Sequence, residues 1–136
     1  MVPGPSIEHA DVSQQLAELL GPPARAAGLR PTMSEFNLGR SEHDFRVPDG
    51  GLHRPGAAGV SHATAALVVE ILSPDDESWQ KLPFYAAHGV DEILIVDPAE
   101  RAVTWLGLGD GEYQPIPRSA LIELGAAEVA ERLDWP

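Results

Sequence analysis

Apolar residues near the start of the chain repeat with helical spacing. Between Ile7 and about Ala27 they recur at steps of three or four residues: Val12, Leu16, Leu19 and Leu20. We therefore predict an amphipathic helix. Gly21-Pro22-Pro23 predicts a break in it, with a further turn before Gly28 ends the segment.

The next forty residues favour extended structure. Arg30–Leu38 and Glu42–Val47 are candidate strands, and Asn37–Ser41 is predicted as the turn between them. Pro48 restricts the preceding residue to an extended conformation, which places Asp49 at a strand edge. A loop rich in Gly, Ala and Pro is expected from Pro55 to about Ala63.

Two apolar runs predict strands that are buried on both faces. They are Ala65–Leu72 and Ile93–Asp97. The intervening segment predicts a helix over about Glu77–His88, so the two strands should pair in parallel through a crossover. Ala102–Leu108 and Glu112–Pro115 then predict a hairpin, with a weak strand and helix in the tail.

The crossover helix carries the polar residues of most interest. Asp75 or Asp76 is expected to cap it, and Pro83 should kink it or delay its start. In a continuous helix three side chains would share one face: Lys81, Tyr85 and His88.

Composition narrows the class of protein. The 136 residues suit one domain over residues 1–136, and there are no cysteines for disulfides or thiolate metal sites. The longest apolar run is too short for a membrane span, and the first twenty residues lack the basic start of a secretory signal. A cytoplasmic location is expected. The net charge of −12 argues against avid DNA binding by bulk charge.

Two charged residues stand out. Glu70 lies inside a buried apolar run, so its carboxylate needs a metal, a cationic partner or a shifted pKa, unless it reaches solvent from the strand end. Lys81 is the one lysine among nine basic residues. Its position either needs a compact charge on a flexible stem or reflects a coding bias.

Other candidate groups have less support. The histidines show no metal-ligand spacing and are interpreted as single surface side chains: His9, His43, His53, His62 and His88. The glycine-rich segment at residues 107–111 is interpreted as a hairpin turn rather than a nucleotide-binding loop.

Five segments, in order, resemble the Uma-two family of putative restriction endonucleases. They are Val47-Pro48-Asp49, Leu67–Pro74, Lys81–Ala86, Gly89–Glu92 and Ile95–Pro98. The resemblance covers about residues 45–113, and that family is similar to the PD-(D/E)XK nuclease superfamily. It implies an α/β fold with a restriction-endonuclease-like mixed β-sheet flanked by helices.

The resemblance also implies site residues. Asp49 and Glu70 match the two acidic positions and would hold Mg²⁺ or Mn²⁺. The superfamily places a lysine two residues after that glutamate, where this chain has Leu72. Lys81 on the following helix is expected to take that role, orienting water or meeting negative charge.

Two positions on the same segment are secondary candidates. Tyr85 matches an aromatic position of the family, and Glu77 stands where the family more usually has aspartate.

The resemblance implies a metal-dependent DNA endonuclease that hydrolyses phosphodiester bonds, and by analogy a homodimer. The alternative is an inactive relative that serves as an interaction or oligomerisation module. That alternative is favoured by the acidity and by Gly50-Gly51, which we expect to hold Asp49 loosely. A local basic strip would favour DNA binding: Arg40, Arg46, Arg54 and Lys81.

Overall fold

The computed structural model describes residues 4–74 and 76–136. Its main sheet has six strands in the order β1-β4-β6-β7-β8-β9, and a second sheet has three in the order β3-β2-β5. The bounds of the strands are β1 Arg30–Thr32, β2 Asn37–Ser41, β3 Asp44–Arg46, β4 Gly50–His53, β5 Ser61–His62, β6 Leu67–Ile71, β7 Glu92–Asp97, β8 Ala102–Gly109 and β9 Glu112–Pro115.

Three α-helices flank the main sheet. They are α1 (Ile7–Ala26), α2 (Leu82–Ala87) and α3 (Ala126–Arg132), and a 3₁₀ turn at Ser78–Lys81 leads into α2. Within the described residues, none of these helices has the length and apolar character that crossing a bilayer requires.

The predicted break in the first helix is wrong. α1 continues through Pro22 and Pro23 to Ala26. Proline removes a helical hydrogen bond and crowds the preceding turn, so the helix must be held by other contacts. Leu20 and Ala24, on either side of the prolines, are both fully buried in the core. Tertiary packing therefore outweighs the local preference.

The crossover prediction is confirmed. β6 and β7 pair in parallel, with Glu70 opposite Ile95, and β6 is buried along its whole length. The helical part is shorter than expected, because α2 itself begins at Leu82, with Pro83 in its first turn, where proline is tolerated. The hairpin of β8 and β9 is also present.

Two weaker predictions are wrong. The expected turn at residues 37–41 is strand β2, and the chain turns instead at residues 42–43 before β3. The predicted loop at 55–63 also contributes strand β5. In the described tail the expected strand is reduced to one bridge between Arg118 and Gly125, followed by α3.

The main sheet separates two apolar clusters. Alternate residues of β6 enter opposite clusters: Val69 and Ile71 pack with α1 and α3, whereas Val68 packs with Tyr85 of α2. Side chains of a strand alternate between faces, so Glu70 lies on the α2 side with Val68. The carboxylate of Glu70 therefore lies in the apolar region between the main sheet and α2.

The glycines after Asp49 have a packing reason. A Cβ at Gly50 would lie 2.6 Å from the sulfur of Met33, and one at Gly51 would lie 2.8 Å from the Leu67 carbonyl oxygen. Only glycine allows β4 to pack this closely to its neighbours. The expectation that these glycines leave Asp49 loosely placed is wrong, because close packing fixes the strand that begins there.

We predict that Gly51→Ala lowers the free energy of unfolding by about 1–3 kcal/mol through overpacking. The matched control is Gly109→Ala in β8, where a Cβ has nothing within 4 Å. Urea unfolding of both variants checks the prediction. Equal stability of the two variants would show that the close approach at Gly51 is relieved without cost.

Candidate active site

Glu70 is the buried centre of the site. It is 1 % exposed. Tyr85 donates a hydrogen bond of 2.5 Å to its Oε1, and Ser78 donates one of 3.2 Å to its Oε2. Lys81 Nζ lies 3.3 Å from Oε1. Of the outcomes expected for this carboxylate, the structure shows a cationic partner, and the interpretation in which it reaches solvent is wrong.

Burial and charge set the protonation of Glu70. Burial raises its pKa to about 7, although the charge of Lys81 and the hydrogen bond from Tyr85 act in the opposite direction. The negative charge of Asp49 is a smaller part of the same upward shift of the Glu70 pKa. Two carboxylates therefore repel each other here, and a cation between them would relieve that repulsion.

Tyr85 keeps its proton. Burial, followed by the charge and hydrogen bond of Glu70, raises the pKa of Tyr85 well above its ordinary value. The hydroxyl is therefore a fixed donor to Glu70.

Lys81 connects the buried carboxylate to the surface. Its side chain is 25 % exposed, whereas that of Glu70 is 2 % exposed. Nζ also lies 3.4 Å from the carbonyl oxygen of Val47, just before Pro48 and Asp49. The ammonium group thus links the segment before β4 to the strand that carries Glu70, through contacts with Val47 O and with both oxygens of Glu70.

Asp49 is held at both oxygens. Its Oδ2 accepts a 2.7 Å hydrogen bond from the backbone N–H of Ile71, and its Oδ1 lies 3.2 Å from His9 Nε2. The backbone N–H of Asp49 donates to the carbonyl oxygen of Val69. The carboxylate is therefore fixed beside the residue that follows Glu70, with its side chain 19 % exposed.

The segment before α2 contributes the side chains of Asp76 and Ser78 to the site. Asp76, one of the two predicted caps, accepts a 2.7 Å hydrogen bond from Ser78 N, and its Oδ1 shares the single hydroxyl proton of Ser78 with Glu70 Oε2. Burial acts to raise the pKa of Asp76, but the hydrogen bonds from Ser78 and Ser73 and the charge of Lys81 leave it lowered. The other predicted cap, Asp75, lies outside the described residues.

The remaining candidates lie apart from this cluster. Glu77 is exposed, and within the described chain its carboxylate forms no hydrogen bond or ion pair. His88 Nδ1 bonds the carbonyl oxygen of Phe84, and its ring stacks on Phe84 at 4.1 Å. The expected shared face thus brings Lys81 and Tyr85 to Glu70 but not His88, because the His88 ring is held against Phe84 of its own helix.

His9 and Ser78 are not identified from the sequence. The sequence pattern makes His9 a surface side chain, yet that side chain is 24 % exposed and contacts Asp49 across 40 positions of the chain. His53 is likewise buried, at 5 % exposure. A contact between residues so distant in sequence leaves no local spacing pattern.

A second buried carboxylate is structural. Glu92, 2 % exposed, accepts hydrogen bonds from the indole of Trp105, the hydroxyl of Ser119 and the backbone N–H of Ala120. These donors are uncharged and all come from the following strand and the tail. Glu92 thus anchors the carboxyl-terminal segment and differs from Glu70, which has a cationic partner.

The candidate basic strip does not present four free cations. Arg54 pairs with Asp91, and the Arg46 guanidinium lies 3.9 Å from Asp44 and 4.3 Å from the centre of the Phe84 ring. Lys81 is engaged by Glu70.

The donor set suits a hard cation. In residues 4–74 and 76–136, no three His, Cys, Asp or Glu side chains are grouped so as to hold a metal ion. Mg²⁺ and Mn²⁺ accept one or two carboxylates and keep bound water, so Asp49 and Glu70 fit such an ion. Each oxygen of Asp49 makes one contact and keeps a lone pair for a cation.

Comparison with known proteins identifies the family. The family model Uma2, described as putative restriction endonuclease, matches residues 1–130. The chain belongs to the Uma2 family. The sequence-based assignment is thereby confirmed, and the match extends beyond the residues on which it rested.

A solved structure supports the fold of this Uma2 protein. The crystal structure of a putative nuclease belonging to DUF820 from Anabaena variabilis ATCC 29413 superposes with a TM-score of 0.69 at 16 % identity. The alignment covers 95 % of this chain and 83 % of the other. The predicted mixed β-sheet flanked by helices is thus confirmed. No curated protein matches the sequence.

We predict that Glu70 makes stability fall as pH rises. Its pKa is about 7 in the folded state, against an ordinary value of 4.5 that describes the unfolded chain. The folded state therefore retains a proton that the unfolded chain releases, and stability is lost between about pH 4.5 and 7. The loss is at most about 3 kcal/mol. Glu70→Gln should remove this part of the pH dependence.

Urea unfolding at several pH values measures this effect as the difference between the wild-type protein and Glu70→Gln. The control is Glu77→Gln, an exposed position whose change should leave the slope unaltered. Parallel pH curves for the wild type and Glu70→Gln would contradict the prediction.

Proposed function

We propose that this Uma2 protein hydrolyses phosphodiester bonds in DNA with the help of Mg²⁺ or Mn²⁺. The observation that carries the proposal is the meeting of Glu70, Lys81 and Asp49 at neighbouring strand ends, although they lie far apart in the sequence. A buried carboxylate with a raised pKa beside a specific charge partner is typical of functional sites.

Asp49 and Glu70 would hold the cation. When bound, the ion would lower the pKa of a coordinated water and stabilise charge on a phosphoryl oxygen. The carboxylate of Asp49 is already oriented by the Ile71 N–H, so little rearrangement is needed to present its free lone pairs. A cation would also favour the ionised form of Glu70.

Lys81 would contact the reacting phosphate or the attacking water. Its side chain is partly exposed and its contacts with Val47 and Glu70 are long, so giving up one of them would let the ammonium group donate outward while it still bonds Glu70. Such a donor stabilises negative charge as it develops on phosphate oxygens. The lysine that the superfamily has two residues after the glutamate is thus replaced from the following 3₁₀ turn, since Leu72 occupies that position.

His9 and Tyr85 would act as positioning residues. His9 fixes Asp49 Oδ1, and the Tyr85 hydroxyl fixes Glu70 Oε1. Each therefore restrains one carboxylate in a single orientation. The cation ligands would then be held from opposite sides of the site, by α1 and by α2.

The charge distribution favours the second candidate function, an inactive relative that serves as an interaction module. The net charge is −12, and Arg46 and Arg54 already face acidic partners. Acidic proteins repel the phosphate backbone at a distance. The predicted homodimer, which would enlarge the surface available to a duplex, stays a prediction.

Cleavage of plasmid DNA separates the two functions. With Mn²⁺ or Mg²⁺ we expect nicking by the wild-type protein and a loss of about 100-fold or more for Lys81→Ala, which removes a donor to the reacting phosphate, and for Asp49→Asn, which removes a charged ligand of the cation. The control for Asp49→Asn is Glu77→Gln, which also removes one negative charge, at an exposed position. Absence of cleavage by the folded wild type, or cleavage unaffected by Lys81→Ala, would favour the interaction module.

Calorimetric titration tests the metal site without requiring cleavage. We expect Mn²⁺ to bind the wild type and to bind Glu70→Ala about tenfold or more weakly, since one of two carboxylate ligands is removed. Glu77→Gln should bind as the wild type does. Equal binding by Glu70→Ala would remove that residue from the metal site.

A further inference from the structure

A second cleft opens beside the edge strand β1, away from Glu70. Its volume is about 260 Å³, and its lining includes Arg30, Thr32, Ser34, Glu35, His53 and His62. Ser34 and Glu35 also line a neighbouring pocket of about 280 Å³, which contains His9 and Asp49. The cleft therefore shares a rim with the pocket at the proposed metal site.

Basic groups in this cleft lack acidic partners. In the described part of the chain, neither Arg30 nor His62 forms an ion pair, and the carboxylate of Glu35 pairs with no cation. Burial lowers the pKa of His53, and the charges of His62 and Arg30 lower it further. The charges of Arg30 and His62 thus oppose a positive charge on His53, which is the condition that favours an anion beside these groups, whereas the carboxylate of Glu35 on the cleft wall acts against one.

His53 has a ring nitrogen without a partner. The ring is 5 % exposed, and among the described residues its Nδ1 has no hydrogen-bond partner. The hydroxyl of Thr32 lies 3.0 Å from His53 Nε2 and 3.5 Å from the carbonyl oxygen of Gly51. When Thr32 donates to Nε2, the proton stands on Nδ1, where an anion oxygen can accept it.

The spacing along β4 relates this cleft to Asp49. Asp49 directly precedes the strand and His53 ends it, four residues later. At about 3.3 Å per residue the two Cα atoms are about 13 Å apart. Phosphates recur regularly along a nucleic-acid strand, so a strand that contacts Asp49 would place another phosphate near His53 within a few nucleotides.

We propose that the cleft of Arg30, His53 and His62 binds a phosphate group, and that this phosphate belongs to the polynucleotide cleaved at Asp49 and Glu70, a few nucleotides from the cleaved bond. The polynucleotide assignment rests on the proposed function, whereas phosphate binding itself does not. One localised contact of this kind would hold a strand on a protein whose overall charge repels it.

Nuclear magnetic resonance of the histidine rings tests phosphate binding directly. Titration with inorganic phosphate should shift the resonances of the ring nitrogens of His53 and His62, and these shifts should reach a plateau at high phosphate. Arg30→Gln should weaken the binding roughly fivefold or more. The matched control is Arg25→Gln, an exposed arginine in the last turn of α1. Absence of shifts, or equal effects of the two variants, would overturn the proposal.

Binding of a labelled oligonucleotide, followed by fluorescence anisotropy at several salt concentrations, tests the source of the phosphate. Arg30→Gln should reduce the slope of log affinity against log salt by about one, the loss of one phosphate contact. An unchanged slope together with phosphate-dependent shifts would overturn the polynucleotide assignment and leave a site for small phosphates. Loss of cleavage with both binding readouts intact would count against the proposed function alone.

Discussion

The burial of the Glu70 carboxylate is the constraint on which the site depends. A carboxylate at 1 % exposure inside a sheet is costly unless charged and hydrogen-bonding partners surround it. Lys81, Tyr85 and Ser78 supply those partners, and all three come from the segment that crosses from β6 to β7. The crossover therefore both completes the parallel pair and stabilises the charge, so fold and site are linked through one residue.

Asp49, the second acidic group of the site, is held by a different set of contacts. Asp49 is fixed by a backbone N–H of the neighbouring strand and by His9 of α1. The two glycines that follow it allow β4 to lie close to β1 and β6. The Glu70 cluster thus depends on local side chains, whereas Asp49 depends on packing between distant parts of the chain.

This difference explains what the sequence can predict. The continuous apolar runs of β6 and β7 predict the central parallel pair, and a glutamate inside such a run predicts a buried partner. Lys81 is identified because it is the only lysine and because it lies on the family's helix. The prolines in α1 predict a helix break that the structure does not have, since the burial of Leu20 and Ala24 outweighs the local preference of proline. His9 cannot be identified, because its partner lies 40 residues away and no spacing rule connects them.

The sequence distances within the site bear on how it forms. Glu70 contacts Ser78, Lys81 and Tyr85 across 8, 11 and 15 positions, whereas the Asp49 contacts with Ile71 and His9 span 22 and 40. Short loops close at lower entropic cost than long ones, so the first group can assemble early in folding and the second only late. A nascent or partly unfolded chain would therefore form the contact between Lys81 and Glu70 before the contacts of Asp49. Binding of the proposed cation by both carboxylates would therefore require the fully folded molecule.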